Sequence, residues 1–167
     1  MAIATHPAGT MIRAAEAADH AAIVDMLAKL ADHVRPGFVP RVTAEDVARY
    51  GPAGRGLFKA LVAGREGRAV GLCLYTYAFS GWRGRPGLFI QDLYVAPSER
   101  GSGLGRALLT AALRHEAPND CAFLRLDVDM TNTSAIGFYA RLGFTVDAHD
   151  HAMRIDGPPL EALRAGD

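Results

Sequence analysis

Residues 100–106 have the sequence Arg100-Gly101-Ser102-Gly103-Leu104-Gly105-Arg106. They follow an apolar stretch that ends at Val95 and precede a helical pattern that begins near Leu104. Glycine lets a phosphate approach the backbone closely, and the unpaired amides of a helix N-terminus favour an anion. Arg100 and Arg106 can add charge-assisted contacts. The stretch therefore predicts a strand, a phosphate-binding loop and a helix; the alternative is a turn that only lets strand and helix pack closely.

Two well-known classes of phosphate-binding loop are excluded by their sequence patterns. A P-loop needs lysine and then serine or threonine after its last glycine, but Arg106-Ala107 follows Gly105. A dinucleotide-binding loop needs a third glycine, and Leu108 or Arg106 occupies that place, depending on where the pattern starts.

Before the loop, the chain predicts a strand, two helices and three more strands. Met11–Ala14 has the pattern of a short strand, and apolar residues at helical spacing follow Asp19. Thr43 can cap a second helix, Thr43–Tyr50. Three later strands are predicted at Leu57–Val62, Ala69–Phe79 and Leu88–Val95. A hairpin turn at Gly64–Gly67 joins the first two, and a looser connection at Ser80–Gly87 joins the second and third.

After the loop, helices and strands alternate. The predicted elements are a helix at Leu104–His115, a strand at Phe123–Val128, a helix at Ser134–Leu142 closed by Gly143, and a strand from Phe144 with His151–Ile155 as its candidate partner. We expect one α+β domain over residues 1–167, a mixed sheet covered by helices, with residues 1–10 and 158–167 at its periphery.

Composition narrows the class of protein. The formal net charge of the 167 residues is zero, which disfavours nucleic acid as a partner, although a local basic patch can still bind phosphate. Cys73 and Cys121 stand in no metal-ligand or redox spacing, so we expect neither a structural disulfide nor a metal site. Without a signal-like start or an apolar run of about 18 residues, we expect no membrane partner and a cytoplasmic location.

A second informative segment is Asn132–Phe144. Asn132 or Thr133 can cap a helix, and Gly143 can take the left-handed conformation that ends it. Each residue has such a local explanation, and Tyr139 by itself is compatible with ordinary amphipathic packing.

Together, the two segments resemble the GNAT superfamily of N-acetyltransferases. The loop matches that family's Arg/Gln-x-x-Gly-x-Gly/Ala pattern, and the second segment matches its Asn-x-x-Ala-x-x-Phe-Tyr-x-x-x-Gly-Phe pattern. The matching residues are Arg100, Gly103 and Gly105 in the first, and Asn132, Ala135, Phe138, Tyr139, Gly143 and Phe144 in the second. Residues 78–95 are also similar to the diamine (spermidine/spermine) N-acetyltransferase branch.

The resemblance implies a fold and a cofactor. The fold is a mainly antiparallel sheet with helices on both faces and a splayed pair of central strands. The cofactor is acetyl-CoA. Its pyrophosphate would lie on the amides of residues 101–106, and its pantetheine along Leu93, Tyr94 and Val95. Asn132, Ser134 and Ala135 would contact it near the thioester, Tyr139 would act as general acid, and the protein would be a homodimer.

The resemblance leaves the general base open. Diamine acetyltransferases carry Glu-Asp where this chain has Gln91-Asp92, and the neutral amide of Gln91 cannot accept a proton. Asp92 points to the other side of a regular strand unless a bulge re-aims it. Asp127 and His151 are further candidates, and Trp82 is a candidate substrate contact. Those relatives also place an acidic residue after the first helix, where this chain has Val34, which disfavours a polyamine substrate.

We therefore expect an acetyl-CoA-dependent N-acetyltransferase that acts on a primary amine of a small molecule by direct attack in a ternary complex. A non-catalytic acyl-CoA binding or sensing domain is the alternative, because Gln91 replaces the expected carboxylate. A longer acyl donor is compatible with the same fold.

Overall fold

The computed structural model describes residues 2–6, 9–149 and 151–166. Within these residues, six strands form one sheet in the order β1-β2-β3-β4-β5-β6. Neighbouring strands are antiparallel except β5 and β6, which are parallel. The strands are β1 (Ala2–His6), β2 (Thr10–Ala14), β3 (Lys59–Arg65), β4 (Arg68–Ser80), β5 (Arg85–Val95) and β6 (Leu124–Leu126). The predicted α+β class with a mainly antiparallel sheet is confirmed.

The described residues form five α-helices. They are α1 (His20–Val34), α2 (Ala44–Tyr50), α3 (Leu104–His115), α4 (Thr133–Arg141) and α5 (Pro158–Ala165). Ile23 and Met26 of α1 belong to a buried cluster with Leu72 and Tyr94 of the sheet. Leu108 of α3 packs against Gly71, whose neighbour Leu72 faces the other way, so α3 covers the opposite face.

The chain divides into two compact units, Met1–Asn132 and Thr133–Asp167. The first unit contains the sheet and helices α1 to α3, and the second contains α4 and α5. No helix in the described part of the chain is long and apolar enough to span a bilayer.

Ion pairs and caps fix the first helices where the sequence predicted them. Arg13, at the end of β2, binds both carboxylate oxygens of Asp19 at 2.6 and 2.8 Å, which holds the start of α1 beside the sheet. Hydrogen bonding to Arg13 lowers the pKa of Asp19 below its ordinary value, although burial opposes the shift. Thr43 caps α2 by accepting the amide of Asp46 at 3.1 Å, as predicted.

A buried carboxylate ties the end of α3 to β4. Glu116 accepts hydrogen bonds from Tyr75 at 2.8 Å, Tyr77 at 2.6 Å and Asn119 at 2.7 Å. Burial acts to raise the pKa of Glu116, but these three hydrogen bonds outweigh it and the pKa is lowered. The cluster fixes the axis of α3 at the end opposite the glycine loop.

Three predicted features are corrected. The strand predicted from Phe144, with His151–Ile155 as its partner, is wrong, because residues 144–149 and 151–155 are irregular. The side chains at 145–149 and 151–155 are exposed, so a strand there would have no buried face to stabilise it. The looser connection at 80–87 is a short turn at residues 81–84, and β6 covers only the centre of the predicted 123–128 strand. Two elements, β1 and α5, were not predicted.

Gly87 brings β6 close to β5 and generates a stability prediction. A Cβ at Gly87 would lie 2.6 Å from the ring of Phe123, the residue immediately before β6. We expect Gly87→Ala to lower the free energy of unfolding by about 1–3 kcal/mol, because the half-buried ring has to move. Gly81→Ala is the matched control, since nothing lies within 4 Å of its Cβ position. Chemical denaturation measures both; equal stability of the two variants would contradict the packing.

Candidate active site

The glycine loop presents free amides at the start of α3. Gly101 and Gly103 have φ values of +78° and +89°, a left-handed conformation that side chains disfavour. The first helical hydrogen bond runs from the amide of Ala107 to the carbonyl of Gly103 at 3.0 Å. The amides of Gly105 and Arg106 precede it and have no carbonyl partner among the described residues. The loop can therefore receive an anion.

Contacts with the ends of β3 and β5 hold this loop in shape. Glu99 pairs with Arg65 at the end of β3 at 3.0 Å, and its carbonyl accepts the Ser102 hydroxyl at 2.6 Å. Arg100 Nε donates to the carbonyl of Val95 at 3.3 Å. Arg100, predicted as a phosphate contact, thus also braces the turn that follows β5.

The parallel strands β5 and β6 part beside the loop. Their pairing runs from Leu88↔Leu124 to Ile90↔Leu126, whereas β5 continues to Val95. The amide of Ala96 donates to Val70 of β4 at 2.9 Å. Peptide groups alternate in direction along a strand, so those of Leu93 and Val95 point away from β4 into the gap. This is the splayed pair predicted from the resemblance, with main-chain groups available to an extended ligand.

A β-bulge at Gln91 changes the face on which Asp92 lies. On β4, Leu74 and Tyr75 are consecutive, but they pair with Asp92 and Ile90 on β5. Gln91 is the extra residue, and it is exposed. Asp92 therefore lies on the face opposite Ile90, together with Tyr94 beneath α1. The sequence left open whether a bulge occurs here, and the structure contains one.

The carboxyl group of Asp92 is poorly solvated. Its side chain is half-buried and makes no hydrogen bond or ion pair within the described ranges 2–6, 9–149 and 151–166. Burial raises the pKa of Asp92 above its ordinary value. Burial, together with the Asp92 charge, raises the pKa of the Cys73 thiol to about 12, which keeps that thiol neutral. Asp92 thus combines proton affinity with the absence of a competing partner.

The segment after β6 adds acidic groups at the same end of the sheet. Asp127 follows β6 directly and is exposed. Asp129 accepts the Thr131 hydroxyl at 2.7 Å and pairs with Arg35, just after α1, at 3.7 Å. The amide of Asn132 donates to the carbonyl of Asp129 at 2.9 Å. The end of α1 and this segment are therefore neighbours.

The predicted substrate residue Trp82 lies away from this region. Trp82 is fully exposed in the turn between β4 and β5, and the strand from Arg85 to Asp92 covers roughly 23 Å of extended chain. Within one chain, Trp82 does not reach Asp92. His151 is exposed in an irregular part of the second unit.

Within the second unit, the predicted motif forms the start and end of α4. Ser134 and Ala135 lie in its first turn. The half-buried ring of Tyr139 makes edge contacts with Phe138 and Phe144, at centroid distances of 5.0 and 5.3 Å. Gly143 follows the helix with a φ of +92°, as predicted. The motif thus orders the tyrosine ring between two neighbouring aromatic rings.

The sequence reasoning missed a groove between β1 and α3, whose polar lining includes Thr110 and Arg114. A usable signal was present, because Arg106, Thr110 and Arg114 recur at four-residue intervals and so share one face of the helix. The other wall of the groove is β1, which has no strong strand pattern of its own.

Comparison with known proteins decides the family. A profile described as the Acetyltransferase (GNAT) family matches residues 25–144, which include the parted strands, the glycine loop and the tyrosine helix. The chain belongs to the GNAT acetyltransferase family. This GNAT protein is an N-acetyltransferase by family, and its relatives include enzymes named for amine acetylation.

Two curated relatives and one solved structure illustrate the likeness. The chain is 28% identical to thialysine N-epsilon-acetyltransferase of Sus scrofa, over 93% of this chain and 98% of that protein. It is 27% identical to the human spermidine/spermine N(1)-acetyltransferase-like protein 1, over 79% of this chain and 20% of that protein. An integron cassette protein from the mobile metagenome of V. cholerae shares the fold, with a TM-score of 0.75, 21% identity and coverage of 93% of this chain and 97% of that chain.

The raised pKa of Asp92 generates a prediction about stability. A carboxyl whose folded-state pKa is raised stabilises the fold while protonated, and this contribution is lost as pH rises through the raised value. We therefore expect Asp92→Asn to have a higher Tm than the parent protein at pH 8, and the difference to shrink toward pH 4. Thermal scans across this range measure it.

Asp127→Asn is the control, because Asp127 is exposed and removing its charge leaves no buried group behind. A lower Tm for Asp92→Asn than for the parent at pH 8 would contradict the unfavourable burial of the Asp92 charge.

Proposed function

We propose that this GNAT protein transfers the acetyl group of acetyl-CoA to a primary amine of a small molecule, by direct attack in a ternary complex. The observation that carries the proposal is the combination of unpaired amides at the start of α3 with the unpaired edge of β5. Both lie at the same end of the sheet, since Glu99 and Arg100 join the loop to β3 and to Val95.

The glycine loop fits the pyrophosphate of CoA, and the free edge of β5 fits its extended pantetheine. The amides of Gly101 to Arg106 would hold the pyrophosphate, and the peptide groups of Leu93 and Val95, with Tyr94 between them, would pair with the amides of the pantetheine. By the family motif, Asn132, Ser134 and Ala135 would contact the cofactor near its thioester. When bound, the thioester supplies an activated acyl group for attack by an amine.

Asp92 is the base that the structure supports best. An ammonium ion has to lose a proton before its nitrogen can attack, and Gln91 cannot accept one. The bulge at Gln91 turns Asp92 away from the face of Ile90, and burial raises its proton affinity. Asp92 would accept the amine proton directly or through water. Asp127 and Asp129, on the neighbouring segment, favour a cationic acceptor electrostatically.

Tyr139 is assigned the role of general acid from the motif in which it stands. A phenol with an ordinary pKa near 10 can protonate a departing thiolate. The half-buried ring is held by Phe138 and Phe144, which limits its orientations.

The acceptor is a small amine, and a long polyamine is disfavoured. One relative is named for thialysine and another for spermidine and spermine. Gln91 and Val34 stand where the diamine enzymes carry acidic residues, so this chain offers less negative charge to a polycation. By the same resemblance the active form is a homodimer.

Removal of the phenol tests the catalytic assignment. We expect Tyr139→Phe to lower kcat by about 10²–10⁴-fold while leaving CoA affinity unchanged, because only proton transfer to the leaving thiolate is lost. CoA release in a screen of diamines, ω-amino acids, aminoglycosides and peptide N-termini measures turnover. Tyr50→Phe is the control, since Tyr50 belongs to α2 and to neither motif.

The screen also decides between the two functional classes. Tight CoA binding with no turnover of any amine would contradict an enzyme and support the acyl-CoA binding or sensing domain. Full activity of Tyr139→Phe would contradict only the general-acid role of the phenol and would leave the proposed reaction standing.

A further inference from the structure

A groove runs between the N-terminal strand β1 and one side of α3. Its volume is about 230 Å³, and it is lined by Ala4, Thr5, Gly103, Arg106, Ala107, Thr110, Ala111 and Arg114. Arg106 and Arg114 are two turns apart on one helix face, roughly 12 Å along the axis. The groove therefore begins at the glycine loop and continues along the helix beyond it.

The charge in this groove is uncompensated. Neither Arg106 nor Arg114 forms a hydrogen bond or ion pair with another described residue. No acidic side chain lines the groove. Thr5 and Thr110 add hydroxyl groups, and the remaining lining side chains are no larger than methyl groups. Such a surface favours an anion that accepts several hydrogen bonds.

A histidine completes the end of the groove beside the loop. His6 Nε2 lies 3.6 Å from the position that a Cβ on Gly103 would occupy. The imidazole comes from β1, and β1 lies outside residues 25–144, which match the family profile. The N-terminal strand, and not the glycine loop, therefore supplies this wall of the groove.

We propose that the groove binds a phosphate monoester group between Arg106, Arg114 and His6. Guanidinium groups bind phosphate oxygens through paired hydrogen bonds, and the ring nitrogen and threonine hydroxyls supply further partners. Two ligands carry this chemistry: the ribose phosphate of CoA itself, and a free phosphate or nucleotide that binds separately. With the CoA phosphate as ligand, the inference rests on the proposed function; with a free phosphate, it does not.

Calorimetric titration of the whole protein with CoA, dephospho-CoA and inorganic phosphate tests the groove. If the ligand is the CoA phosphate, CoA binds about tenfold or more tightly than dephospho-CoA, and Arg114→Ala and His6→Ala each reduce this preference. If it is a free phosphate, inorganic phosphate binds to the CoA-saturated protein, and Arg114→Ala removes that binding. Arg83→Ala is the matched control, because Arg83 is exposed in the β4–β5 turn.

The outcomes distinguish failure of the groove proposal from failure of the proposed function. The groove proposal is overturned if Arg114→Ala keeps the parental preference for CoA over dephospho-CoA and the parental response to phosphate. It is also overturned if the parent protein shows neither effect. Failure of the parent to bind any CoA would instead contradict the proposed function, and the phosphate titration would still decide the groove.

Discussion

The site depends on where the hydrogen bonding between two parallel strands stops. Pairing of β5 with β6 ends at Ile90 and Leu126, yet β5 continues to Val95 because β4 pairs with it on the other side. A strand that is paired on one side only leaves unsatisfied peptide groups on the other. In this protein those groups face the gap, and a single 3-10 turn, Pro97–Glu99, leads from β5 into the glycine loop. One interruption of the sheet thus creates both the extended edge and the anion-binding helix start.

The bulge at Gln91 connects this backbone feature to proton transfer. An inserted residue costs regular pairing, but it turns Asp92 to the face of the sheet that carries Tyr94. Burial without a charge partner makes Asp92 unfavourable for stability and suitable for accepting a proton. By contrast, Glu116 is also buried but has three donors, which lower its pKa and make it a structural anchor. The two carboxyls show that hydrogen-bond partners, more than burial alone, decide the role of a buried acid.

Local chemistry accounts for what the sequence predicted well. The limits of α3 were predicted at Leu104 and His115, and the Thr43 cap and the left-handed Gly143 follow from properties of single residues. The bulge could only be left open, because it depends on pairing with a strand elsewhere in the chain. Strand β1 was missed because its stability comes from pairing with β2 and packing under α3. The strand predicted at Phe144 failed for the converse reason, since a strand-like composition without a buried face does not form one.

The central claim is that the β5 edge and the glycine loop hold one ligand together. Hydrogen–deuterium exchange of the whole protein, with and without saturating CoA, measures this directly. Exchange should slow in both segments 91–95 and 101–106 when CoA is added, because their free amides become hydrogen-bond donors to the same molecule. Protection confined to other segments, or unchanged exchange in 91–95 while CoA is bound, would contradict the account.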